Sequence, residues 1–462
     1  MDRSATDAPA SSSRTVSQAA LARLGYCGAV GSFLGSSAIV GLSTTITMWQ
    51  AGLGLDATQV GALSAVLNFA IAAGSLLAGW LCARLGMTRV FNWINLVSAV
   101  GFVICAAAPD FWSLLIGVTI VGFGTGLDLP VSISVMARDA QDPAAGSTLV
   151  TVTQLGWQIG MLGSALVAFA VSRMPGATGG RVVFALFAAV ACGLWLWRVR
   201  SGEFAALHAA AEQGEDATVI SAERSERRNL AGARATDGNG RSLDSGFASA
   251  RDDNTSSTTS ARDSNKAAGP FGMPKQLVPA FASLLVFYIG WNLVANTWGQ
   301  FQTYMLVNAH ASQSLATGLG IILYVVMFAA NWVVSATVNT RWRNPLFVAG
   351  GVIALAAMVL MAAGGGSLWV IVAATAIMYV GLPLAGEAIC KVWTQETFPA
   401  ESRAAVQGFI LGFSRLLCGL FAFVTPALVL PGTIGTTLWG FVAVVAVFVA
   451  AGCLFMRMRR AG

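Results

Sequence analysis

The sequence predicts an all-α polytopic membrane protein, with twelve transmembrane helices in two six-helix bundles. Composition is the first ground: 56% of the 462 residues are hydrophobic and 10% charged, where soluble domains carry about 25% charged residues. The second is a series of twelve apolar stretches of roughly the length that crosses a bilayer as a helix, about 20 residues. The third is a single long polar interruption after the sixth stretch, which divides the spans six and six.

The spans of the first half are expected at Gly25–Trp49, Gln59–Leu81, Val90–Ala108, Phe111–Val135, Ser147–Val171 and Val182–Trp197. Those of the second are expected at Leu277–Leu306, Leu315–Val338, Pro345–Ala363, Leu368–Val392, Ala405–Leu430 and Thr437–Met456. They lack the two-residue alternation of a transmembrane barrel. Residues 1–23 are polar and Ser-rich and read as a disordered tail; the first span is too long for a cleaved signal core. The bundles then occupy 24–200 and 276–457, with a short second tail at 458–462. Between the bundles, residues 201–275 include DDNTSSTTSARDSN (252–265), polar and without apolar periodicity, and so predict a disordered linker.

Basic residues set the expected orientation. Arg3, Arg14, Arg23, Arg84, Arg89, Arg138, Arg341, Arg343, Arg403, Arg457, Arg459 and Arg460 fall on one side, joined by eleven more from Arg198 to Lys275. Only Arg173 and Arg181 fall in loops on the other. Both termini are therefore expected in the cytoplasm, with the chain in the cell membrane. The net charge of +6 reads as this topology signal rather than as a nucleic-acid surface. The seven cysteines show neither metal nor disulfide spacing and read as packing residues. The two histidines, His208 and His310, lie in the linker and in an outer loop, which leaves no readable nucleophile–base pair. No enzyme activity, cofactor or metal is expected. The expected partners are a small solute, protons and the lipid bilayer, with the chain acting as a monomer.

Two six-span halves joined by a long inner connection resemble the major facilitator transporters, built around a midplane site. A faint internal echo agrees: ARDAQDP (137–143) closes span four and TQETFP (394–399) closes span ten. TQETFPAESRAAVQGF (394–409) resembles the E-x-F-P-x-x-x-R signature of the sugar-porter family, with Glu396, Phe398, Pro399 and Arg403 in register. QLGWQIGML (154–162) and FYIGWNLVANTWGQF (287–301) resemble its fifth- and seventh-span motifs. GLDLP, YIGWNL, KVWTQETFP and RAAVQGF together resemble bacterial myo-inositol transporters. The resemblance implies inner-face gating by Arg84, Arg89, Asp139, Glu396 and Arg403. It also has departures. Ala83 stands for an expected Asp, Met87 and Gly146 for expected Arg residues, and RSGEF (200–204) keeps only Glu203 of a longer motif. A looser inner ion-pair network is expected.

Ionisable residues deep in a span cost about 2.5–3.5 kcal/mol on insertion scales and are functional candidates by default. Asp128, within GTGLDLPVS (124–132), Glu387, Lys391 and Arg415 meet that description. Glu387 and Lys391 are four apart, share a helix face and can pair, either as a structural pair or as part of a site. The first-span Asp usual in the family falls here at Gly35, so Asp128 is left to carry any proton coupling. An isolated carboxylate in a low-dielectric site takes up a proton readily; the alternative is a structural acceptor at the Pro130 kink.

On span seven Tyr288, Asn292, Asn296 and Gln300 recur every four residues, and at about 40° of drift per step they form one polar stripe. Gln154 and Gln158 form a shorter one on span five. Amides donate and accept, as hydroxyls do, and Trp291 and Trp393 are candidates to cover the apolar face of a ring. The contrary reading is interhelical hydrogen-bond glue. Gln154 and Asn292 match family substrate-contact positions. The reading is a secondary transporter of a small polyhydroxylated solute, a sugar or inositol, by alternating access with proton symport. A uniporter, an exporter of amphipathic compounds and a transporter-like sensor are the alternatives.

Overall fold

The computed structural model describes residues 18–140, 143–213, 270–338, 340–364, 367–430 and 432–461. Twelve helices in it are long and apolar enough to span a membrane. Spans one to six are Gln18–Leu53, Ala57–Leu85, Met87–Ala107, Phe111–Ala140, Pro143–Ala170 and Thr178–Arg200. Spans seven to nine are Val278–Asn308, Gln313–Thr337 and Arg343–Ala363, and spans eleven and twelve are Ala400–Leu428 and Ile434–Ala461. Each falls where an apolar stretch stands in the sequence, with polar ends added at either side.

Several span starts are set by local chemistry. Asp56 and Gln59 form a reciprocal capping box at span two: Gln59 N–H donates to Asp56 Oδ1 at 2.7 Å, and Asp56 N–H to Gln59 Oε1 at 3.1 Å. Asp110 precedes span four in the same way. The backbone N–H of Ser113 donates to it at 2.9 Å, and that bond holds its carboxyl below the usual carboxylate range. Ser312 caps span eight through Leu315 N–H. Span four runs through Pro130 without losing its helical assignment.

Span ten departs from the single helix expected. It is two helices, Leu368–Leu384 and Glu387–Thr397, parted after Pro383, which cannot donate to the backbone ladder. The linker expected at 201–275 also differs at its start, because 202–213 is helical. Phe204, Leu207, His208 and Ala211 are buried there, so the amphipathic face of a short polar-looking segment docks under the first bundle. The disorder expected over 1–23 and 201–275 differs also at 18–23, which begins span one, and at 270–275, which carries short 3-10 turns, while 1–17 and 214–269 lie outside the described residues.

Helix pairing repeats itself with a shift of six. In the first half spans 1–5, 2–4, 3–4, 3–6 and 1–6 pack together; in the second half 7–11, 8–10, 9–10, 9–12 and 7–12 do. The halves meet through spans 1–7, 2–11 and 5–8. This is the pattern of two similar bundles related by an axis along the membrane normal.

An even number of spans puts the ends of spans one and twelve on one face, called here the terminal face. Among the described residues, hydrogen bonds between the halves lie in the half of the protein away from it. Gln313 Nε2 donates to Thr44 O at 2.9 Å, and Gln313 also bonds Thr47. Ser172 and Ser314 hydroxyls lie 2.8 Å apart, and Asn68 and Asn296 amides bond reciprocally at 3.3 and 3.4 Å. Gly61 packs directly on the Phe423 carbonyl, where any Cβ would overlap backbone. The face opposite the termini is therefore closed.

Candidate functional site

Below that closure lies a cavity of about 530 Å³ between the halves, within the range of small-molecule sites. It extends to Ser335 and Lys391, close to the terminal-face ends of spans eight and ten. The span-seven stripe faces it. Asn292, Asn296 and Gln300 line the cavity, while Tyr288, one turn away, is buried with its ring 5.6 Å from Trp291. Asn292 Nδ2 donates to Ser414 Oγ at 3.0 Å and Gln300 Nε2 to Asn296 Oδ1 at 2.8 Å. Gln300 Oε1 is buried without a partner among the described residues. From the other half, Gln154 and Gln158 line the opposite wall. Asn68 joins this site by bonding Asn296.

Trp291 lines the cavity with its ring, since its N–H is taken by Leu382 O at 2.9 Å. That carbonyl borders the break in span ten. Trp393 is a correction. It is fully buried among Phe287, Phe347 and Phe455, with ring centroids 5.0–5.7 Å away. The half-turn between Lys391 and Trp393 turns the indole away from the cavity and into the core of the second bundle. The ring surface missed in the sequence is Trp157, which lines the cavity between Gln154 and Gln158; its place in the QLGWQIG run was the available signal. Tyr324 and Tyr379, stacked with centroids 6.3 Å apart, also line it. Gln302 lies behind them and accepts a bond from the Tyr379 hydroxyl at 2.5 Å.

Glu387, Lys391 and Arg415 all reach the cavity. Lys391 Nζ sits 2.6 Å from Glu387 Oε1, as the i,i+4 spacing predicts. Glu387 opens the second helix of span ten, where the helix dipole favours a carboxylate by about 0.3–1 kcal/mol.

Asp128 is neither isolated nor in the cavity lining, and this corrects its expected setting. Arg198 Nη1 donates to its Oδ1 at 2.7 Å, joined by Ser132 Oγ at 3.1 Å and Asn95 Nδ2 at 3.4 Å. Arg198 also donates to Phe91 O at 2.9 Å and lies over the Phe91 ring. Span one leaves room for the pair at Gly31, where a Cβ would overlap Asp128 Oδ2.

The expected gating residues divide. Asp139 is buried and paired with Arg138 and His208. Glu396 takes Arg343 through two bonds of 2.9 Å and also pairs with Arg459. Arg403 donates to the Phe398 carbonyl rather than to Glu396. Arg84 and Arg89 are exposed, and Arg84 lies over the Trp80 ring. Glu203 pairs with Arg23. These contacts stay within one half or the other.

Two similar six-helix bundles around an amide-lined midplane cavity, closed on one face, define a multi-pass membrane transporter. The chain belongs to the Major Facilitator Superfamily, whose family model matches residues 26–422. It is 24% identical over 421 residues to the minor myo-inositol transporter IolF of Bacillus subtilis (strain 168), covering 88% of this chain and 84% of that one. Its fold is similar to a crystal structure of a D-xylose-proton symporter, with a TM-score of 0.68 at 15% identity, over 94% of this chain and 96% of the other. It is also similar to an inward open conformation of the xylose transporter XylE from E. coli, with a TM-score of 0.66 at 15% identity, over 95% and 96%.

Proposed function

We propose that the protein is a secondary transporter in the cell membrane that moves a small polyhydroxylated solute, of the sugar or inositol class, by alternating access. The observation that carries this reading is the cavity wall: amides from both halves, Gln154 and Gln158 facing Asn292, Asn296 and Gln300. Each amide offers both donors and an acceptor to hydroxyls, and Trp157 and Trp291 offer flat apolar faces to a ring. A solute held from both sides draws the halves together, which is the step that alternating access requires. The myo-inositol transporter relative, matched over 84% of its length, supports the solute class. The excess of basic residues on the terminal face supports a cytoplasmic setting for that face, and the state described is then inward-facing.

Uptake by reconstituted vesicles of labelled inositol, hexoses and a lipophilic cation tests the class. Polyol uptake supports the proposal; uptake of the cation alone replaces it with an amphipathic exporter. Gln154→Ala and Asn292→Ala are each expected to weaken solute affinity several-fold while membrane expression holds, since a neutral hydrogen bond contributes about 0.5–1.5 kcal/mol. Unchanged affinity in both would make these amides structural.

A further inference from the structure

Three charged side chains line the cavity among the described residues: Glu387, Lys391 and Arg415. Glu387 and Lys391 neutralise each other at 2.6 Å. Arg415 feels the field of Glu387 but has no ion pair within 4 Å among the described residues. However Glu387 divides its oxygens between the two cations, one acid faces two bases, and the lining keeps a single positive charge in excess. Among the described residues, the two carboxylates of span four are already engaged: Asp128 by Arg198, and Asp139, at its terminal-face end, by Arg138 and His208. An uncompensated cation within a span is costly, and an anionic solute bound in the cavity would supply its counter-charge.

We propose that the solute is a monoanion, a small hydroxylated ring bearing one carboxylate, and that Arg415 is the residue that binds the carboxylate. This rests on the transporter reading above and narrows its substrate class. A guanidinium presents a planar fork that matches a carboxylate with two parallel bonds. Arg415 follows Ser414, whose hydroxyl accepts from Asn292, so the anion site adjoins the span-seven amide stripe. Gln154 and Gln158 across the cavity then take the hydroxyls, and the unpartnered Gln300 Oε1 accepts one more. One negative charge balances the lining. A neutral polyol leaves Arg415 uncompensated, a dianion places excess negative charge beside Glu387, and a cation is repelled.

The test uses the full chain in vesicles and two matched pairs of probes: myo-inositol with quinate, and glucose with glucuronate. The acid of at least one pair is expected to half-saturate uptake at a concentration at least about tenfold below its neutral partner, the scale of a charge-assisted pair. Arg415→Gln should abolish that preference by weakening the acid and sparing the neutral probe. Arg415→Lys, which keeps the charge and loses the fork, should fall between. Thermal unfolding of each variant reports its folding, and if Arg415→Gln does not fold, the Lys variant and the parent's own preference decide. Neutral probes taken up as well as the acids, or an acid preference that survives in folded Arg415→Gln, would overturn the inference and leave the transporter reading standing. A folded parent that moves none of the four overturns both.

Discussion

Asp128 and Arg198 stand 70 residues apart in the chain and 2.7 Å apart in space. Removing one partner of a buried pair strands the other charge, at a cost of about 3–5 kcal/mol. Asp128→Asn is therefore expected to lower the thermal unfolding midpoint in detergent, and Arg198→Gln likewise. The double variant, with neither charge left, should recover much of that loss; strictly additive losses would show that the pair is not coupled. The same Asn variant examines proton coupling. If a proton on Asp128 opens the pair during transport, Asp128→Asn vesicles should exchange solute but fail to accumulate it against a gradient. Accumulation retained would leave Asp128 a structural acceptor, and a parent that ignores an imposed pH gradient would be a uniporter. The sequence made Asp128 conspicuous and hid its partner. Arg198 lies where an apolar span gives way to polar chain, and such an arginine reads as one more charge of the topology signal.

Span ten shows the same limit at the scale of an element. Its apolar run reads as one helix, but the chain breaks after Pro383, which cannot donate to the backbone ladder. Gly386 passes close to Trp291: an added Cβ would sit 2.9 Å from two ring atoms and 2.7 Å from Leu382 O, the carbonyl that holds the indole N–H. Overpacking of this kind costs about 1–3 kcal/mol. Gly386→Ala should therefore displace the Trp291 ring and weaken solute affinity several-fold, with the fold retained. Solute-dependent thermal shift measures it, and an unaltered shift would mean the ring does not shape the site. Span seven behaved oppositely. Its four-residue polar period was legible because a helix converts spacing into a face, and Asn292, Asn296 and Gln300 all reach the cavity.

For the molecule as a whole, closure of one face is the property on which alternating access depends. Ser172 and Ser314, with hydroxyls 2.8 Å apart, join spans five and eight across the two halves. Ser172→Cys with Ser314→Cys should form a disulfide under oxidation, because the paired side chains lie within the reach that a bridge requires. The oxidised protein is expected to lose uptake and to regain it on reduction. Uptake that persists with the bridge formed would show that this face need not open.

The sequence by itself determined the twelve spans, their division into two sixes, the stripe of amides and the Glu387–Lys391 pair. Each of these follows from composition or from a helical period, both of which are local. Tertiary structure alone decided that Asp128 is compensated by Arg198, that Trp393 belongs to an aromatic core while Trp157 faces the cavity, and that one face is closed. Those outcomes depend on which helices meet and how each is rotated. Packing between distant segments sets both, and no window of sequence contains it.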